Sequence, residues 1–286
     1  LVSVSISRAN LKAAIYADIV GRFYAGAVSG AIGFNGRTLP VGLANSGALT
    51  DDERFFTTPL DKADPEGLPA YPSDIHERID TAEVAAVIRN ALTAQWDDNT
   101  IIVVSGPASN LASVLAVGNA KDWIRRKVKL LVFTGGRFPE GAPEDNVKAD
   151  IESARKLFAE WPTPIVVCGA EMDGLVSYPA SSIETDFSWS AAHPVVDAYT
   201  AGGAMPYDAP VWAMHSALYA VRGQEGYFQL SEPGSISVLD DGRTKFTPSA
   251  DGEHQYLIFD PSQRERILQA YTEIVSAKPV ERPQRR

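Results

Sequence analysis

The sequence predicts an α/β fold, read as one domain over residues 1–286 with a mainly parallel central sheet, flanking helices and a C-terminal β-hairpin. Apolar runs recur at residues 2–6, 101–104, 130–133 and 165–167, and unbroken runs of this kind read as buried parallel strands. Between them lie stripes with helical spacing, the crossovers that parallel neighbours require. The strand-like runs also end in short polar loops, where open α/β sheets place their ligands.

Taken in order, Val2-Ser3-Val4-Ser5-Ile6 runs into Ser7-Arg8-Ala9-Asn10 and then a helical segment. Residues 51–74 are polar and Pro-rich, which reads as a solvated excursion or a lid. Asp80-Thr81-Ala82-Glu83 resembles a capping signal for a helix whose Val84, Val87, Ile88 and Ala91 form an apolar stripe. Ile101-Ile102-Val103-Val104 leads through Ser105-Gly106-Pro107-Ala108-Ser109-Asn110 to a helix opening at Leu111. Leu130-Leu131-Val132-Phe133 leads into Thr134-Gly135-Gly136. Asp150 then caps a helix with Ile151, Ala154, Leu157 and Phe158 inward, which stops at Trp161-Pro162. Residues 235–239 and 244–246 read as a hairpin around Asp240-Asp241-Gly242. A last helix follows Pro261, and residues 279–286 read as a frayed basic tail.

Length and composition agree. At 286 residues and 45% hydrophobic content, the chain can bury one large α/β core. A net charge of −10 argues against nucleic-acid and anionic-membrane partners, which select basic patches. No run approaches the ~20 apolar residues of a transmembrane helix. A cytoplasmic location is favoured, with an exported form left open. The single cysteine, Cys168, has no partner for an intrachain disulfide and reads as a small buried hydrophobe.

Asn10, Asn110 and Asn146 each lie in a loop that follows a predicted strand. An amide donates and accepts at once, which suits the vicinal hydroxyls of a sugar. Asn is also a common N-cap and turn residue, so each one alone reads more often as structural. Three at one topological level favour a polyol-binding cleft.

These blocks carry a resemblance to the nucleoside hydrolases of the inosine–uridine-preferring N-ribohydrolase type. It rests on Ser105-Gly-Pro-Ala-Ser-Asn110-Leu-Ala, Thr134-Gly-Gly-Arg-Phe138 and Pro143-Glu-Asp-Asn146-Val-Lys-Ala-Asp150. Trp161-Pro-Thr-Pro-Ile-Val-Val167, Ala217-Leu-Tyr-Ala-Val-Arg222 and Glu225-Gly-Tyr-Phe228 extend it over nearly the whole chain. The resemblance implies hydrolysis of the N-glycosidic bond of ribonucleosides, with a calcium ion holding the attacking water and the ribose hydroxyls, and a homo-oligomer. It places Asn10 and Asn146 on the ribose, Glu144 near the 5′-hydroxyl, Asn110 in the same loop pattern, and the Ser105 backbone carbonyl on calcium. Trp212 matches an aromatic position near the leaving base, although a core Trp is the competing reading.

Two departures qualify that implication. The family's Asp-x-Asp-x-x-x-Asp-Asp loop belongs upstream of the Val2 strand, where this sequence begins, at Leu1 rather than Met. Either the copy is incomplete upstream or the protein lacks the loop. Relatives also carry a calcium-binding Asp where this chain has Ala213, and a methyl cannot stand in for an anionic oxygen. Asp208 and His215 lie nearby out of register. No catalytic residue is assignable, and two classes stay open: an enzyme of this type, or a catalytically silent relative that binds a nucleoside or sugar or serves in an assembly. Of the histidines, His76 and His254 read as solvated and His193 as a loop residue; His215 alone reads as near the cleft, and there a core or cap role is favoured over a catalytic one.

Overall fold

The structure, a computed structural model, describes residues 1–25, 39–46 and 54–278. The tail at 279–286 and residues 51–53 of the expected excursion lie outside the described residues. In chain order the first elements are β1 (Val4–Ile6), α1 (Leu11–Tyr24), β2 (Val41–Leu43), α2 (Arg54–Asp61), α3 (Val84–Thr93) and β3 (Thr100–Val104). Then come α4 (Ser109–Leu115), α5 (Ala120–Lys127), β4 (Val128–Thr134), α6 (Asp145–Lys148), α7 (Ile151–Glu160) and β5 (Ile165–Cys168). β6 (Ser177–Tyr178), α8 (Ala180–Thr185), α9 (Pro194–Gly202), β7 (Ala209–Pro210) and α10 (Trp212–Arg222) follow. The chain closes with β8 (Phe228–Leu230), β9 (Gly234–Val238), β10 (Thr244–Pro248), β11 (His254–Phe259) and α11 (Arg264–Val275).

Contacts gather into two compact units assembled from five alternating stretches of chain. The first takes Leu1–Ile88, Pro179–Asp208 and Glu273–Arg286; the second takes Arg89–Tyr178 and Ala209–Thr272.

In the first unit β1 pairs in parallel with β2, Val4 opposite Val41 and Ile6 opposite Leu43. Sequence reasoning expected residues 2–6 to be a central strand of the large sheet; among the described residues β1 instead belongs to this two-stranded sheet. Its Val-Ser-Val-Ser-Ile alternation suits a strand with one polar face rather than one covered on both sides, and all three residues of β1 are half-buried. Ala14 of α1 joins Val41, Leu43 and Ile75 in the core beneath it. Asp18, also on α1, is buried but accepts bonds from Arg22 Nε at 2.8 Å, Ser73 Oγ at 2.8 Å and the Asp74 N–H at 3.0 Å, so its charge is compensated. The expected solvated excursion contains α2, where Phe56 meets Tyr16 at a centroid distance of 5.7 Å. The paired aromatics at 55–56 supply an apolar face that the polar surroundings concealed. Helix α3 starts one turn after the expected signal: Glu83 accepts from the Ala85 and Ala86 N–H groups, while Asp80 turns back to those of His76 and Glu77.

The second unit holds a seven-stranded sheet in the order β10-β9-β11-β5-β4-β3, with β8 also on β11. β11, β5, β4 and β3 run parallel, and the antiparallel strands lie on the other side of β11. Leu131, Val132 and Phe133 of β4 and Ile165, Val167 and Cys168 of β5 are fully enclosed, as unbroken apolar runs at a sheet centre require. Helix α10 packs across β3, β4 and β5, and α7 packs against α4 and β9. The C-terminal hairpin is β9–β10, its register running from Val238 opposite Thr244 to Gly234 opposite Pro248. Gly242 takes φ +82° in its turn, a conformation that favours glycine.

Candidate ribose-binding site

The carboxyl ends of β3, β4 and β5 are neighbours in the second unit, and their loops are stitched together. From the loop after β4, the Gly135 N–H donates to Cys168 O at 3.0 Å. The Ala170 N–H returns a bond to Gly136 O at 2.8 Å. Ser109, opening α4 after β3, donates to Asp150 at 2.7 Å, which caps α7 through the Ser153 N–H at 3.0 Å. The two hydroxyl donors Ser109 and Ser153 and the Ser153 N–H hold the Asp150 carboxyl below the ordinary Asp value, against the opposing and largest effect, burial.

Each expected site residue has a definite place. Ser105 is exposed directly after β3, and Asn110 is buried in the first turn of α4. Glu144 is buried and works as the N-cap of α6: its carboxylate accepts from the N–H groups of Gly136 at 2.9 Å, Asn146 at 2.7 Å and Val147 at 3.2 Å. Gly135 leaves room for it, since a β-carbon there would lie 3.1 Å from Glu144 Oε2. Asn146 donates its side-chain N–H to Thr134 O at 3.0 Å. A carbonyl only accepts, so the NH₂ end faces the strand and Oδ1 is the end left for a ligand. Trp212 is half-buried at the start of α10, with its indole N–H on Gly169 O at 3.0 Å, which fixes the ring plane. Asn10 lies in the first unit as the N-cap of α1, accepting from the Ala13 N–H at 3.1 Å.

Sequence reasoning missed Glu171, three residues past the end of β5. One of its oxygens accepts from the Phe138 N–H at 3.0 Å, and the other is buried without a partner among the described residues. Burial raises the Glu171 carboxyl above the ordinary Glu value. A β-carbon on Gly169 would fall 2.3 Å from it, so the glycine makes the space. Thr134 and Ser216 were also missed. Their hydroxyls meet at 2.7 Å, both buried. The available signal was a hydroxyl residue ending the apolar run and another one turn beyond Trp212.

One histidine needs correction. His254 is buried in β11 against Phe158 rather than solvated, accepting from the Ile236 N–H at 3.0 Å. His193 is a buried N-cap of α9 ringed by Phe23, Phe187 and Trp189. His215 is fully buried, its Nδ1 hydrogen-bonded to the Tyr271 hydroxyl. Cys168 is buried as expected, and desolvation pushes its thiol up to about 12.

Oxygen donors for a hard cation are sparse. Ala213 is an exposed methyl group in the first turn of α10, Glu144 is committed to its three N–H donors, and Asp208 of the first unit accepts from the Ala180 N–H at 2.9 Å. Among the described residues no three His, Cys, Asp or Glu side chains gather as a metal-holding group.

No protein-family model and no curated protein matches the chain. Solved structures do match along almost its whole length. The inosine–uridine-preferring nucleoside hydrolase from Bacillus anthracis aligns over 96% of this chain and 99% of its own, at TM-score 0.62 and 13% identity. The purine-preferring ribonucleoside hydrolase from Gardnerella vaginalis aligns over 96% and 97%, at TM-score 0.61 and 15% identity. The type III effector XopQ, solved with adenosine diphosphate ribose, aligns over 96% of this chain and 85% of its own, at TM-score 0.61 and 14% identity. The chain therefore has the nucleoside hydrolase fold: mixed α/β, with a central, mostly parallel sheet flanked by helices.

Proposed function

We propose that this protein binds a ribonucleoside, or a ribose-like part of a larger ligand, at the carboxyl ends of β3–β5, and that the chain on its own hydrolyses the N-glycosidic bond weakly or not at all. The observation that supports this most directly is the Asn146 amide, fixed to Thr134 O so that an acceptor is left for a ligand hydroxyl. Trp212 offers a half-exposed ring of fixed orientation on which a base would stack. Two neighbours of the same fold are an inosine–uridine-preferring nucleoside hydrolase and a purine-preferring ribonucleoside hydrolase, and a third, the effector XopQ, was solved with adenosine diphosphate ribose.

The weak-hydrolysis part follows from the donor set. In the family, calcium lowers the pKa of the attacking water and orients the ribose diol. A hard cation needs several oxygen ligands with enough negative charge to offset dehydration. A Ser105 carbonyl and an Ala213 methyl do not supply that, and among the described residues no three His, Cys, Asp or Glu side chains gather as a metal-holding group. What the residues of the second unit do in this reading is bind and orient: the Asn146 amide oxygen accepts from a ligand hydroxyl.

Calorimetric titration with inosine, uridine and free ribose, together with a base-release assay with and without calcium, tests the reading. Saturable nucleoside binding, weakened roughly tenfold by Trp212→Ala with ribose binding unchanged, is expected. Robust calcium-dependent release of base by this chain would overturn the silent-site part, and no nucleoside binding would overturn the whole.

A further inference from the structure

Asn146 is held by a residue that is itself held. Thr134, the last residue of β4, gives its backbone oxygen to the Asn146 amide at 3.0 Å. Its hydroxyl meets Ser216 Oγ on α10 at 2.7 Å. Ser216 also hydrogen-bonds Cys168, the last residue of β5, whose thiol points to Trp212 O at 3.9 Å. The ends of two parallel strands and the first turns of α10 are thus joined by a small polar network inside an apolar core. Thr134 is 1% and Ser216 0% exposed.

Such hydroxyls are a costly way to fill space. Burying them is unfavourable unless each is bonded, and replacing both partners by apolar groups of the same shape is often close to neutral for stability. Packing alone therefore does not account for the pair. Its geometric effect is to fix the end of β4, and with it the direction of the Asn146 carbonyl oxygen.

We infer that Thr134 and Ser216 are positioning residues for the Asn146 amide and thereby set which ribose hydroxyl the site requires. The inference rests on the ribonucleoside reading above and deepens it. Productive geometry tolerates only about half an ångström of drift, so loosening the strand end should be felt in selectivity before it is felt in folding.

The test compares affinities for inosine and for its 2′-, 3′- and 5′-deoxy counterparts in the full chain, in Thr134→Val, in Ser216→Ala and in the conservative Thr134→Ser. The wild-type protein should lose affinity most for one of the three deoxy ligands. Thr134→Val and Ser216→Ala should reduce that discrimination about tenfold, and Thr134→Ser should keep it. Exchange of the Asn146 side-chain amide protons, followed by NMR, should be slow in the wild type and faster in the two disrupting variants. Should Thr134→Val fail to fold, Ser216→Ala and the exchange rates decide alone. A uniform loss across all four ligands would mark a merely structural role and overturn the inference, as would unchanged ratios. If the wild type binds no inosine, the ribonucleoside reading falls and takes the inference with it. Wild-type binding with unmoved ratios removes only the inference.

Discussion

Ser109 donates its hydroxyl to Asp150 at 2.7 Å, so the loop leaving β3 is fastened to the cap of the helix that follows β4. One carboxylate both closes a helix N-terminus and joins two loops at the proposed ligand-binding edge. Asp150→Ala should cost roughly 0.5–2 kcal/mol, the usual range for losing a side-chain N-cap. Ser109→Ala should cost less, because the Ser153 hydroxyl still satisfies Asp150 at 2.6 Å. Urea midpoints of the two variants check this, and an order reversed from the one given would contradict it.

Acid sensitivity follows from three buried imidazoles. Burial lowers His193, His215 and His254 from the ordinary 6.5 to about 4. Between those values the unfolded chain takes up protons that the folded chain excludes. Stability contributed by neutral histidine is therefore complete above pH 6.5 and lost as the pH falls toward 4, at up to about 1.4 kcal/mol per pH unit for each group. Urea midpoints at pH 7, 6 and 5 should fall steadily. His193→Asn keeps an N-cap on α9 and removes one titrating group, so its slope should be shallower. Parallel slopes for wild type and variant would contradict this account of His193.

A carboxylate placed at position 213 alone should stabilise without activating. Val211 caps α10 without a side-chain bond, so Asp in place of Ala213 would bring a carboxylate to the first turn, where the helix dipole favours negative charge. Ala213→Asp should add about 0.3–1 kcal/mol, diminishing at high salt. It should confer neither a calcium-dependent rise in Tm nor calcium-dependent base release, since one new carboxylate is too small a ligand set for a hard cation. A clear calcium response in that variant would show that further ligands are in place.

The unbroken apolar runs at 130–133 and 165–167 were legible as parallel strands because enclosure on both faces demands such runs; the run at 101–104 is parallel as well, although it lies at the end of the sheet order and leaves Ile101 and Val103 exposed. The hairpin was legible from its Gly242 turn, and α7 from the Asp150 cap and the Pro162 stop. The strand at residues 2–6 was misplaced because its own alternation was overlooked. His254 was misjudged because a short polar approach, Asp251-Gly252-Glu253, precedes a strand whose first residue points inward. Of the candidate site, loop residues directly after predicted strands could be named in advance, whereas the bonds of Glu171, Thr134 and Ser216 could not. Those bonds are made across the fold between residues as far apart as 134 and 216, and local spacing carries no trace of them.

The interleaving of the two units has a consequence for biosynthesis. In the first unit the Tyr24 hydroxyl donates to Val275 O, and the Trp189 indole N–H donates to Ser276 O. The two ends of the first of these bonds are 251 residues apart in sequence. At translation speeds of about 5–20 residues per second, helix α1 waits on the order of 10–50 s on the ribosome for the carbonyl that completes its surroundings. During that interval Phe23 and Tyr24 have only part of their final cover. The early chain is therefore a natural client for chaperones, and its completion is timed by the emergence of residues 275 and 276 rather than by its own synthesis.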